Sequence, residues 1–347
     1  MDERAPTAIR AAIADHGPIT FAEFMERALT GPGGYFEGTP VGDRGDFVTS
    51  PHVHPVFGEL LGRAVRGLAV GLGSPDPLRV TEAGAGDGTL AAALLPAIAD
   101  LHTVYVAVEP GRAAREALAA IDGIEIRERL EPPTDVVLAN ELLDNLPIRI
   151  VRDGKEIRVG NDGDAFVEVP TALTDDLAAE PGIREPGEHV IATGVRAFVD
   201  DLVRTLGRGY ALLIDYGGLG TTGGPVHGYR AHRIVEDVLA DPGSTDITSG
   251  VDVEALRRHA ERAGLVAFPS VTQQAALMAL GFEAWFRSEL ERQQDLLAAR
   301  VGLEAVRTWS GRSRATLLID PAALGRLRWV VLATPGLPPP AWLAEPQ

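Results

Sequence analysis

The stretch VTEAGAGDGTLAAALL at residues 80–95 constrains this chain most tightly. An apolar strand runs into a glycine-rich turn and then into an Ala/Leu-rich helix. Glycine permits backbone conformations and close ligand approaches that side chains forbid, and a helix start presents free N–H groups. Similar units recur around it. Strands are expected at 78–84, 103–110, 124–129, 135–143, 209–218 and 326–336, and helices at 88–99, 111–121, 193–206 and 251–265. Strand–helix alternation of this kind specifies a parallel, doubly wound α/β sheet. The expected architecture is Rossmann-like, a seven-stranded, mostly parallel sheet whose last pair is antiparallel at an edge.

The remaining segments read as additions to that sheet. Residues 1–77 hold helices at 7–15, 21–29 and 56–70 around a Gly/Pro-rich loop at 31–55, and are expected to form a helical and loop lid. The main domain should span 78–336. Cap insertions are expected at about 148–190 and 217–250. Asp-Gly pairs at 153–154 and 162–163 suggest an antiparallel hairpin over 148–170. Residues 219–250 read as a long loop, VAFPSVTQ as one strand, and 274–312 as two or three helices. The proline-rich tail, 337–347, reads as loose.

Composition removes several classes of chemistry. The chain has 347 residues and a net charge of −17, which argues against nucleic-acid binding and against anionic membrane surfaces. There is no cysteine, so disulfides, Cys-bound metals and thiol nucleophiles are excluded. Lys155 is the sole lysine and sits in a turn, leaving little room for Schiff-base chemistry. Four histidines, His52, His54, His227 and His232, lack metalloenzyme spacing, so no metal is expected. The N-terminus has no apolar signal core and no apolar run is long enough to span a membrane, so the expected location is cytoplasmic, without membrane insertion. The oligomeric state is not readable.

The glycine turn sorts among nucleotide-like ligands. Gly84 and Gly86 fit a dinucleotide fingerprint, but the third position is Thr89, with Gly88 one place early. Glu82 precedes the turn, which suits a ligand bearing a cationic amino-acid part. Glu109 ends the second strand and suits a ribose diol. The pattern E-x-G-x-G-x-G with a second-strand acid is the signature of an S-adenosylmethionine methyltransferase. Glycines that merely shape a tight turn are the plainer alternative. At the end of the fourth strand, ANELLDNLP brings Asn140, Glu141 and Asp144 to the carboxyl edge, where open α/β sheets bind ligands. Helix capping by Asn140 would be compatible with such a site.

Several separated stretches then agree. GPITFAEFMERALTGPGGYF (17–36), GDFVTSPHVHPVFGELLG (45–62), TEAGAGDGTL (81–90), NELLDNLP (140–147), LLIDYG (212–217), DPGSTDITSGVDVEAL (241–256) and VTQQAALMALGF (271–282) resemble the MidA-type class I methyltransferases. These are relatives of a mitochondrial complex I assembly factor that methylates an arginine. The resemblance implies S-adenosylmethionine as cofactor, S-adenosylhomocysteine as product, and a protein arginine as acceptor, such as one on a respiratory-complex subunit. Glu82, Gly84, Ala85, Gly86, Gly88, Glu109, Pro110 and Asn140 would surround the cofactor. Asp46, Phe47, Thr49 and Ser50 would belong to the lid or substrate loop. The sequence departs from the family pattern at His52, His54 and Gly250, in loops expected to face the substrate.

A guanidinium nucleophile must be held and polarised by carboxylates, since its charge is spread over three nitrogens. Glu141, Asp144 and Asp215 are the candidate catalytic acids, with Asp46 in support. Three other readings stay open at this point: a small-molecule methyltransferase, a non-catalytic assembly or binding protein, and a nicotinamide-dependent oxidoreductase.

Overall fold

The computed structural model describes residues 4–38, 49–218, 225–230 and 233–343. Its main sheet contains β1 (Leu78–Ala83), β2 (Thr103–Val108), β3 (Ile124–Arg127), β4 (Thr134–Asn140), β5 (Leu206–Asp215), β6 (Val266–Ala267) and β7 (Arg328–Ala333). The order across the sheet is β3-β2-β1-β4-β5-β7-β6. The first five strands are mutually parallel, and β7 runs antiparallel to both β5 and β6. This is the expected Rossmann-like sheet. The single edge strand expected over VAFPSVTQ is instead two short strands, since Val271–Thr272 pairs separately with β7. Pro269 lies between them and has no N–H to donate to a ladder.

Both faces of the central strands are buried, which explains their uninterrupted apolar runs. Alternation sorts the side chains. Val80, Val136, Leu138, Leu212, Ile214, Trp329 and Val331 enter one core cluster. Ala83, Val137, Ala139, Ala211, Leu213, Val330 and Leu332 enter the cluster on the opposite face. The helix Val56–Leu72 is buried in the first of these, with Phe57, Leu60, Leu61, Ala64 and Leu68 against the sheet. A division at residue 77 therefore cuts through a shared core. This helix is a layer of the sheet domain.

The helices Arg4–His16 and Phe21–Leu29 do lie apart from the sheet. Thr20 caps the second, its hydroxyl accepting from the Glu23 N–H at 3.1 Å. Ile9, Ile13, Phe21, Phe24 and Met25 pack against Ile148, Ile150, Ile157 and Val159 of the first insertion. That insertion is larger than the expected hairpin. Strands Arg149–Arg152, Lys155–Asp162 and Ala165–Thr171 form a meander; Glu188–Ile191 adds to its Arg149–Arg152 edge, and Ile19–Thr20 pairs with Arg158 and Val159 of the central strand, beyond the stretch that meets Arg149–Arg152. The Asp-Gly reading places its first turn correctly: Asp153 and Gly154 both have positive φ.

Two regions expected to be irregular are ordered. Within 219–250, the strands Val226–Arg230, Arg233–Val235 and Asp246–Ser249 make a small antiparallel sheet. The tail is packed as far as residue 343. Leu337 is buried, the Tyr210 hydroxyl donates to the Pro338 carbonyl at 2.7 Å, and Trp342 packs edge-on against Trp329 at 5.5 Å. Two aromatic anchors thus override the proline-rich composition. Among the described residues, no helix is long and apolar enough to cross a membrane.

Candidate active site

The parallel strands reverse direction of winding between β1 and β4, and crevices at such switch points hold ligands. A cavity of about 870 Å³ opens at that point. The glycine turn forms one wall. Gly84, Gly86 and Gly88 all have positive φ, where side chains are strained. A Cβ on Gly84 would lie 2.9 Å from the Leu142 side chain, and one on Gly88 would collide with Ile121. The Gly84 and Ala85 amides donate to the Val108 carbonyl, tying the turn to the end of β2.

Glu109 closes this wall. Its two carboxylate oxygens accept from the Gly86 N–H at 3.0 Å and the Gly111 N–H at 2.8 Å. Burial pushes its pKa up, against the pull of those two amides. The carboxylate is thus aimed by the backbone and retains lone pairs for a ligand diol. Glu82 lies deeper and accepts from the Tyr105 hydroxyl at 2.6 Å. Burial pushes it up to about 8, so a cation beside it would restore its charge.

The opposite wall is built from acids. Glu141 follows β4 with φ of 51°, an uncommon conformation for a side-chain-bearing residue and one typical of functional sites. Its N–H donates to the Ile214 carbonyl at 2.7 Å. Its carboxylate accepts from the Ser50 N–H at 2.8 Å and the Asn140 side-chain amide at 3.2 Å. Burial raises its pKa. Asp144 stands well above the ordinary carboxylate range because it is buried, with Asp215, Asp246 and Glu141 adding repulsion. Its Oδ1 is buried and has no hydrogen-bond partner, as is true of Asn140 Oδ1. Asp246 accepts from the Asn145 side chain at 2.7 Å.

The residues expected from sequence fall into three groups. Glu82, Gly84, Ala85, Gly86, Glu109, Pro110, Asn140, Glu141, Asp144 and Thr49 line the one cavity. Gly88, Ser50 and Asp215 do not. Gly88 starts the helix Thr89–Ala97 behind the turn, and Ser50 reaches the site through its amide, which donates to Glu141. Asp215 sits behind the acidic wall, accepting from the Leu143 N–H at 2.6 Å and the Tyr216 N–H at 2.7 Å. Burial lifts it to about 7. It does not line the cavity, unlike the other two candidate catalytic acids, Glu141 and Asp144, and its carboxylate instead fixes the loop after β4. Asp46, Phe47 and His232 lie outside the described residues.

Sequence reasoning missed other lining residues. Tyr35 and Phe36 come from the N-terminal segment, His227, Tyr229, Asp246 and Thr248 from the small sheet, and Tyr216 and Arg326 from beyond β5 and before β7. The Arg326 guanidinium stacks over the Tyr216 ring at 5.7 Å. Among the described residues, no group of three or more His, Asp or Glu side chains is placed to hold a metal ion.

The walls match S-adenosylmethionine in kind. Glu109 offers acceptors for a ribose, Glu82 an anion for an ammonium group, and the orphaned Asn140 oxygen one further acceptor. The profile of the family described as "Putative S-adenosyl-L-methionine-dependent methyltransferase" matches residues 60–271. The chain belongs to this family. It is 30% identical to the mitochondrial protein arginine methyltransferase NDUFAF7 of Xenopus tropicalis over 82% of this chain and 77% of the relative. The human protein of the same name is 26% identical over 82% and 74%. A Burkholderia thailandensis protein crystallised with S-adenosyl-homocysteine superposes with a TM-score of 0.79, at 29% identity, covering 97% of this chain and 93% of that one. This member of the family is an S-adenosylmethionine-dependent methyltransferase, and the nicotinamide reading is set aside.

Proposed function

We propose that the methyl acceptor is an arginine side chain of a protein. The observation that carries this reading is the acidic wall. Glu141, Asp144 and Asp246 line the cavity, with Asp215 buried directly behind. Crowded, buried carboxylates hold protons that they would give up to solvent when a cation binds beside them. A planar guanidinium is a cation that two carboxylates can grip with paired hydrogen bonds. The NDUFAF7 relatives are named for arginine methylation.

Within this reading, Glu109 and Glu82 position the cofactor, with Gly84, Ala85, Gly86, Pro110 and Asn140 forming its bed. When bound, the cofactor supplies an electrophilic methyl group on a sulfonium. Glu141 and Asp144 bind the guanidinium and draw its positive charge away from the attacking nitrogen, which regains lone-pair character. The new N–C bond forms as the S–C bond breaks, and the methylated nitrogen gives up one proton. The unpartnered Asp144 Oδ1 is placed to receive it. Asp215 acts by positioning, since it anchors the Leu143 and Tyr216 amides. The N-terminal helices and the two insertions serve as lid and cap over a protein segment, with Thr49 at their edge.

The test is transfer from methyl-labelled S-adenosylmethionine into a proteome, followed by acid hydrolysis. Label in methylarginine, lost in Glu141→Gln, is expected. Label confined to small molecules or to another residue type would overturn the acceptor assignment.

A further inference from the structure

The segment that follows the undescribed residues 39–48 is a single helical turn, Ser50–Val53, and it touches both walls of the cavity at once. His52 makes the first connection. Its Nδ1 lies 2.7 Å from the Thr49 hydroxyl and its Nε2 lies 3.1 Å from Asp87 Oδ2. Asp87 belongs to the glycine turn, and its other oxygen accepts from the Thr89 N–H at 3.0 Å. Burial pushes Asp87 up, and the hydrogen bonds from His52 and Thr89 more than reverse this, leaving it below its ordinary value. An ionised Asp87 can only accept, so the proton of this contact sits on His52 Nε2.

Ser50 makes the second connection, through its N–H to Glu141. The turn is otherwise fixed on its outer side. The Ser50 hydroxyl donates to the buried Gln273 side chain at 3.3 Å, and Arg314 donates to the His52 carbonyl at 3.1 Å. The His52 side chain is only 11% exposed. Its imidazole is therefore the link from this turn to the cofactor wall, two residues from the amide that aims Glu141.

We infer that His52 is a positioning residue that latches the 49–53 turn onto Asp87, so that the glycine turn and the Glu141 carboxylate are set in place together. Ordering of the glycine turn by the cofactor is passed through Asp87, His52 and the Ser50 amide to the acid on the acceptor wall. The inference rests on the reading of Glu141 as an acceptor-side acid. The latch itself is independent of which acceptor is used.

The test measures the full-length protein with S-adenosylhomocysteine as the probe. Affinity is read by calorimetry and amide protection of residues 49–53 by hydrogen exchange. In His52→Ala the affinity should fall about ten-fold, the scale of one lost hydrogen bond to a charged group. The gain in Ser50 protection on adding S-adenosylhomocysteine should vanish. His52→Gln, which keeps an N–H to offer Asp87, should restore part of both effects, whereas His52→Phe, which keeps the packing, should restore neither. Adding Asp87→Asn to His52→Ala should cost little more than either change alone, since both remove one link. Unchanged affinity and protection in His52→Ala, equal rescue by Phe and Gln, or fully additive effects would each overturn the latch. If His52→Ala fails to fold, the Gln and Phe comparison decides alone. No readout involves an acceptor, so a failed arginine assay would overturn the acceptor assignment and leave the latch intact.

Discussion

The two walls of the cavity are both rich in carboxylates, yet they solve opposite problems. On the cofactor wall, Glu109 has a backbone N–H on each oxygen, and Asp87 is bound by His52 and Thr89. On the acceptor wall, Asp144 has a buried oxygen without a partner and three acids near enough to repel it. The first wall holds Glu109 and Asp87 with hydrogen bonds from the fold and leaves the buried Glu82 to be completed by a cation. The second holds carboxylates close together with repulsion unrelieved, a costly arrangement unless a cation completes it. A carboxylate already held by hydrogen bonds of the fold positions a ligand, and one left without a partner recruits a cation.

The largest effect should come from breaking the second wall. Glu141→Gln is expected to lower kcat by about 10²–10³-fold, the scale of a lost electrostatic contact in a transition state. Its affinity for S-adenosylhomocysteine should hold within about three-fold, since Gln keeps an oxygen to accept from the Ser50 N–H. Breaking the first wall should invert the pattern. Glu109→Ala should weaken S-adenosylhomocysteine by about 10–100-fold in calorimetry, as expected for losing hydrogen bonds to a charged group.

The contrast also has a pH signature. Asp215 is lifted to about 7 and Asp144 is also raised, so the folded state holds protons that the unfolded chain releases near pH 4. Stability from this cluster is present at low pH and is lost as pH rises from about 4 through about 7. Guanidinium binding needs the ionised form, so kcat/KM should rise across the same upper limb. Asp144→Asn should therefore raise stability by about 1 kcal/mol at pH 8 while flattening the limb, as measured by denaturant titration. The smallest effect belongs to a neighbour outside both walls. His54 packs on Trp285 at 5.0 Å and does not line the cavity. Replacing it with Gln should change S-adenosylhomocysteine affinity by less than about two-fold.

The same contrast governs what could be read from sequence. The cofactor wall is local: the turn at 84–88 and Glu109 each follow an apolar strand, so strand grammar exposes them. Glu141 and Asp144 are legible for the same reason, as polar residues straight after β4. Asp246, His227 and Tyr229 come from the sheet 226–249, whose strands are three to five residues long and mix Gly, His, Arg and Asp with few apolar positions. Such strands have no clear period, and their order derives from packing of Ile247 and Leu239 against the N-terminal helices. Asp215 was legible as a strand-end acid but not as a buried support. Only the fold shows that its two oxygens are already taken by backbone amides. The tail misled by composition, since prolines mark loops, whereas Trp342 and Leu337 anchor it through distant partners.

The most direct measurement is carboxyl-carbon NMR of the Asp side chains in the S-adenosylhomocysteine complex, titrated with and without ethylguanidinium chloride. Asp215 should titrate near 7, move down when ethylguanidinium is added, and stay put with an equal concentration of tetramethylammonium. An unshifted titration, or equal shifts with both cations, would contradict an acceptor wall built to receive a guanidinium.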